Sequence, residues 1–216
     1  MKINKVIKIL ILSDVALVTG FGFIAPITAI FITQKITFGN MGEAAKVAGF
    51  AMAIYWGIKS ILQIPLANYL DKNHGEKDDL YFIVVGNILA AFSVFGYIFS
   101  SEPWHIYLLN TVYSLGMAMN IPGWSAIFTR HIDRGREASE SAARSTAIGI
   151  GAGISGALGG VVADIWGFNI LFVWAGIFAL ISGLLPILIY DELIPKTKNH
   201  HIPKAKGAPE PYLPKP

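Results

Sequence analysis

Residues 145–190 read STAIGIGAGISGALGGVVADIWGFNILFVWAGIFALISGLLPILIY and carry a single charged side chain, Asp164. Two apolar runs, 145–163 and 168–190, flank the segment Asp164-Ile165-Trp166-Gly167. Each is long enough, as a helix rising 1.5 Å per residue, to cross a hydrocarbon core about 30 Å thick. In lipid such a run must be helical, because each backbone polar group needs a partner within its own segment. Four similar runs precede them, at 7–32, 47–70, 80–99 and 106–128. The expected fold class is therefore all-α: a polytopic membrane protein with six transmembrane helices over residues 1–192. Residues 193–216, rich in Pro and Lys, are expected to form a disordered cytoplasmic tail.

The whole-chain composition agrees. Of 216 residues 54% are apolar and 14% charged, with a mean hydropathy of +0.55; ordinary globular domains carry about 25% charged residues. So few charges cannot cover the surface of a water-soluble fold, which argues against a nucleic-acid binder or a cytosolic enzyme. Cysteine is absent, excluding disulfides, thiolate catalysis and Cys-based metal sites. His200 and His201 are adjacent in the tail and do not by themselves make a metal site; no metal and no cofactor are expected.

Charge placement sets the expected topology. Lys2, Lys5 and Lys8 precede the first run, Lys72 and Lys77 separate the second from the third, and Arg130, Arg134, Arg136 and Arg144 separate the fourth from the fifth. With five tail lysines, fourteen of the seventeen basic residues fall on one side. Lys35 and Lys46 fall on the other, and Lys59 lies inside the second run. The positive-inside rule then makes both termini cytoplasmic, in a plasma (inner) membrane. The first run is too long for a signal-peptide core and has five more behind it, so it is expected to be retained.

The chain also reads as two inverted three-helix repeats, about 1–100 and 101–192. The second run ends in Ala67, Asp71, Lys72 and Gly75, and the fifth in Gly159-Gly160, Asp164 and Gly167. A glycine precedes a proline in the first and fourth runs, Gly22–Pro26 and Gly116–Pro122. The topology places Asp71 and Asp164 on opposite sides, and inverted repeats are a feature of secondary transporters.

At these turns the chain resembles the major facilitator superfamily. Ala67, Asp71, Lys72, Gly75 and Lys77 are similar to that family's signature between helices 2 and 3. The segment from Gly151 through Ser155, Gly156, Gly159 and Gly160 is similar to its glycine-rich fifth helix, and Ser13–Pro26 to its first span. Asn110 and Ser114 stand where the family's fourth helix carries Arg and Gly. The resemblance covers about residues 5–192 and implies alternating access by a transporter built of two like-oriented six-helix halves. This chain supplies one half, and a parallel homodimer would rebuild the whole; a hetero-dimeric partner is the alternative.

Lys59, twelve residues into a 24-residue run, sits where insertion of a lysine costs ~2.5–3.5 kcal/mol. It needs a cavity or a partner; Asp14 and Gln63 are the nearest candidates, and a midplane cation suits a small anionic or zwitterionic solute. The family likeness places helices 1 and 4 on the pathway, adding Asn110, Tyr113, Asn120 and Trp124. Asp71 and Lys72, with Asp133 and Arg134, are expected to form a charge latch. Gly149/Gly153, Ser155/Gly159 and Gly156/Gly160, at four-residue spacing, are expected to pack helices closely.

Two rival readings remain. Gly153-Ile154-Ser155-Gly156 also matches the GxSG pattern of rhomboid proteases, but every histidine lies in a loop, at a helix end or in the tail, so the serine lacks a base; no enzyme is expected. A non-transporting six-span scaffold or regulatory subunit is the other.

Overall fold

The computed structural model describes residues 3–73 and 75–193; the expected tail from residue 194 onward lies outside the described residues. Helix α1 spans Lys5–Ile24. Beyond Pro26 the chain continues as the short helix Thr28–Phe31 and a π-helical turn, Ile32–Ile36. Helix α2 is Met41–Asn73, α3 is Glu76–Gly96 with a 3₁₀ turn at Tyr97–Phe99, and α4 is Pro103–His131. The helical stretch Glu137–Leu184 is broken at Gly167 (φ 82°, ψ 169°), which separates α5 from α6. A 3₁₀ turn, Leu185–Ile189, and a short helix, Tyr190–Leu193, continue α6.

Among the described residues, four helical stretches are long and apolar enough to cross a membrane: Lys5–Ile24, Met41–Lys72, Glu76–Phe99 and Glu137–Leu193. The sequence leads one to expect six, and the difference has two causes. The last two expected spans lie in one stretch bent at Gly167. Helix α4, although 29 residues long, is diluted by Asn110, Thr111, Ser114 and Asn120. All four polar groups are bonded inside the bundle or along the helix: Ser114 and Asn120 are buried, and Asn110 and Thr111 are half-buried.

Side-chain register fixes how the rods run. Along α1, Asp14, Thr19, Gly22 and Phe23 meet Arg144, Gly151, Ser155 and Gly159 of α5 in the same order, so these two helices are parallel. Against α6 the order reverses, with Ser13 on Ser182 and Gly20 on Ala175. Gly167 therefore turns the chain back, a left-handed conformation that favours glycine. Helix α4 lies between α2 and α3, α1 lies against both α5 and α6, and α3 packs on α6.

Since lipid tails are as apolar as leucine, close packing and hydrogen bonds, more than hydrophobicity, must hold such rods together. Small residues supply the packing. A Cβ on Gly86 of α3 would strike the Gly116 carbonyl of α4, one on Gly123 would lie 2.6 Å from the Asp79 carbonyl, and one on Gly20 would lie 2.8 Å from the Ala175 carbonyl. Apolar clusters fill both ends of the bundle, one around Ile7, Leu10, Ile83, Ile127 and Phe128, the other around Phe31, Ile106, Leu171 and Phe172. A polar layer crosses between them. Ser13 Oγ donates to the Ser182 carbonyl (2.8 Å), Asn87 Nδ2 to Ser182 Oγ (2.8 Å) and Asn120 Nδ2 to Asn87 Oδ1 (2.7 Å), linking α1, α6, α3 and α4.

Candidate functional site

The polar layer ends at an ion pair. Arg144 Nε and Nη2 both reach Asp14 Oδ2, at 2.7 and 2.5 Å, and the guanidinium lies 4.2 Å from the centre of the Trp124 ring. Trp124 is held in turn by its Nε1, which donates to the Leu10 carbonyl at 3.3 Å. Asp14, Asn120, Trp124 and Arg144 line a cavity of about 140 Å³ together with Ile121 and Ser125. Asp14 is largely buried and the Arg144 side chain is 37% exposed. A planar guanidinium with a stacked face and a shared carboxylate is well suited to exchange one carboxylate-like partner for another.

A second station lies along the same face of α4. Tyr113, Met117, Asn120 and Trp124 recur at helical spacing, and Tyr113 stacks on Tyr55 of α2 (5.2 Å) and leans on Phe21 of α1 (4.5 Å). Lys59 is buried beside them, with Nζ 3.7 Å from the centre of the Trp56 ring and 5.0 Å from that of Tyr55. This corrects the expected Asp14–Lys59 pair: Asp14 is taken by Arg144, and Lys59 rests on aromatic faces. Gln63 is half-buried one turn further along α2. Asn110 is engaged elsewhere, its Nδ2 donating to Tyr97 Oη and to the Ile106 carbonyl, both at 2.9 Å.

Lys59→Met removes a charge that costs ~2.5–3.5 kcal/mol to insert, so a folded protein of equal or higher thermal unfolding midpoint is expected, read by thermal unfolding in detergent.

The basic end of the bundle differs from its expected latch. Asp71, Lys72, Arg134 and Lys77 are exposed, with Lys77 Nζ 5.8 Å from the Tyr81 ring centre; Ala67 and Gly75 are half-buried, Gly75 with extended backbone (φ −109°) before α3. Here Arg130 pairs with Asp79, and His131 Nδ1 lies 3.4 Å from Glu76 Oε1, both tying α4 to α3. Asp133 accepts from Asn4 Nδ2 (3.3 Å) and its backbone N–H donates to Glu140 Oε2 (3.2 Å), a fully buried carboxylate. Asp79 escaped the sequence reading because α3 begins at Glu76, so that Asp79 is already a turn inside the bundle.

Of the small residues in α5, Gly151, Ser155 and Gly159 form the stripe against α1. Gly156 and Gly160 touch it at van der Waals distance, with the added Cβ 3.8 Å from the Gly22 carbonyl and 4.0 Å from Ile27. Gly149 and Gly153 do not pack within the chain; a Cβ there meets nothing within 4 Å. Ser155 Oγ donates to the Ala152 carbonyl (3.3 Å) while filling the space over Gly22, a packing role.

Apolar rods, satisfied backbones and polar groups gathered between helices define an integral membrane protein of the all-helical class. The family model described as Major Facilitator Superfamily matches residues 10–215. The chain belongs to the Major Facilitator Superfamily, a membership that points to a non-enzymatic secondary transporter. It is 23% identical over 193 residues to an uncharacterized MFS-type transporter of Methanocaldococcus jannaschii, a match covering 89% of this chain and 47% of that relative. The chain thus spans about half the length of the relative it matches.

Proposed function

We propose that the protein moves a small anionic or zwitterionic solute across the plasma (inner) membrane by alternating access, its six helices working against a second, like-oriented bundle. The observation that carries this is the Asp14–Arg144 pair: two charges drawn between helices beside a cavity, where a solute's acidic group can displace Asp14 from the guanidinium. Asn120 and Trp124 belong to the lining of that cavity, and Tyr113 on the same face of α4 and Lys59 on α2 lie further along. Helices α3 and α6 contribute none of these groups.

The helix contacts support an inverted repeat. The neighbours are α1 with α5 and α6, α4 with α2 and α3, and α3 with α6. Exchanging α1 with α4, α2 with α5 and α3 with α6 returns the same set. The turns themselves are not equivalent, because Gly75 is extended and Gly167 left-handed. Open glycines on the two related helices, Gly49 and Gly57 on α2 and Gly149 and Gly153 on α5, suit close approach by the second bundle. A second copy in parallel orientation, with both termini cytoplasmic, supplies it; a hetero-dimeric partner is the alternative.

The test is uptake of a panel of small organic anions and zwitterions into proteoliposomes, with and without a pH gradient, by a Gly57→Cys/Gly153→Cys protein. We expect saturable uptake that Arg144→Gln abolishes, and disulfide-linked dimers in the active fraction. Uptake by strictly monomeric protein would remove the second copy. A panel with no uptake that Arg144 governs would return the protein to a scaffold or regulatory subunit.

A further inference from the structure

A second concavity is unrelated to the ion pair. It lies at the end opposite the basic face and holds about 870 Å³, lined by the π-helical turn after α1, the α3–α4 turn and the α5–α6 turn. Its walls carry two opposite charges. Lys35 stands on the π-helical turn, and Asp164 stands at the end of α5; both are exposed, and neither has an ion-pair partner among the described residues. Gln34 and Asn169 add amides to the rim. The floor is aromatic, with Phe31 set 5.5 Å from Phe168 and 4.9 Å from Phe172 between ring centres.

The backbone around this basin is unusual. A π-helical turn is rare and often found at functional sites; here it closes with the Thr37 N–H bonded to the Ile32 carbonyl at 2.9 Å. It keeps Ile32 and Ile36 buried while Gln34 and Lys35 border the basin. Phe38, which follows, is a non-glycine residue with φ 49°, a conformation costing about 1 kcal/mol. Such departures persist where the surrounding structure holds them.

A ligand that satisfies all of this carries an anion and an ammonium on an apolar stem. The basin sits where the apolar stretches end, at the level of lipid head groups, and Ile30 beside it is 46% exposed, so its floor runs on into the face that meets lipid chains. We propose that it binds a zwitterionic phospholipid with a primary ammonium head, the phosphate on Lys35, the ammonium on Asp164 and the chains over Phe31 and Phe168. The site rests on the membrane reading above but not on transport.

The full chain is reconstituted in nanodiscs of equal phosphatidylethanolamine, phosphatidylcholine and phosphatidylglycerol, and retained lipid is read by native mass spectrometry. Phosphatidylethanolamine should be kept several-fold over the others, and Lys35→Ala or Asp164→Asn should each lower its retention by about tenfold, the worth of one charge-assisted contact. Lys46→Ala, an exposed lysine outside the basin lining, should change nothing. Equal retention of phosphatidylethanolamine and phosphatidylcholine overturns the ammonium contact, and retention indifferent to both basin variants overturns the site. Soluble phosphoethanolamine that stabilises the lipid-free protein in detergent through the same two residues would make the ligand a free solute and overturn the lipid. Protein that never enters the discs would instead overturn the membrane reading.

Discussion

Replacing Arg144 by glutamine is expected to lower the thermal unfolding midpoint and to end the proposed transport. The substitution leaves the Asp14 carboxylate, 14% exposed, without its counter-charge. Breaking a buried pair from one side costs about 3–5 kcal/mol; with Arg144 partly open to the cavity, about 2 kcal/mol is expected here. Asp14→Asn strands Arg144 over Trp124 and should cost less, because the longer side chain can move toward solvent. The double neutral variant Asp14→Asn/Arg144→Gln should be more stable than Arg144→Gln alone while remaining inactive. Unfolding midpoints in detergent, combined as a double-mutant cycle, check this. If the two single effects simply add, the pair is not coupled and the site loses its centre.

Gly86→Ala is expected to be the most damaging small change in the bundle. A Cβ there collides with the Gly116 carbonyl and lies 2.9 Å from the Asn120 backbone nitrogen. Both obstacles are backbone, so α3 and α4 must separate, and the Asn120–Asn87 bond stretches with them. Overpacking of this sort costs about 1–3 kcal/mol. Gly160→Ala, where an added Cβ lies 4.0 Å from Ile27 at ordinary contact distance, should do the reverse and gain about 0.5–1 kcal/mol from helix propensity. The yield of monodisperse protein and its unfolding midpoint separate the two. Equal tolerance of both would mean that α3 and α4 do not approach as closely as their glycines allow.

The membrane-spanning character was legible because lipid leaves the backbone little choice: a long apolar run must be a helix, and 145–190 with one charge is nearly all run. Charge placement along the chain likewise gave an ordered expectation for topology. The site was legible only in part. Asp14, Asn120, Trp124 and Tyr113 stood out as polar or aromatic groups within apolar runs. Arg144 did not, because it looked like the end of a loop, whereas α5 begins at Glu137, where Glu137 and Glu140 sit favourably in the first turn. Lys59 stood out as a charge within an apolar run, but its expected partner was wrong: it rests on Tyr55 and Trp56. Depth along a helix can be counted from sequence, but azimuth relative to the next helix cannot, and azimuth decided that Arg144 faces Asp14.

What the amino-acid order determined by itself is the set of rods, their length and their apolarity, since these follow from hydrogen bonding and transfer free energy within each segment. What only the tertiary structure decided is which rods touch. Gly86 meets Gly116, Ser13 meets Ser182, and Arg144 meets Asp14 because close packing between helices is specified by the shapes of facing surfaces. That information is shared between distant segments and is carried by neither alone.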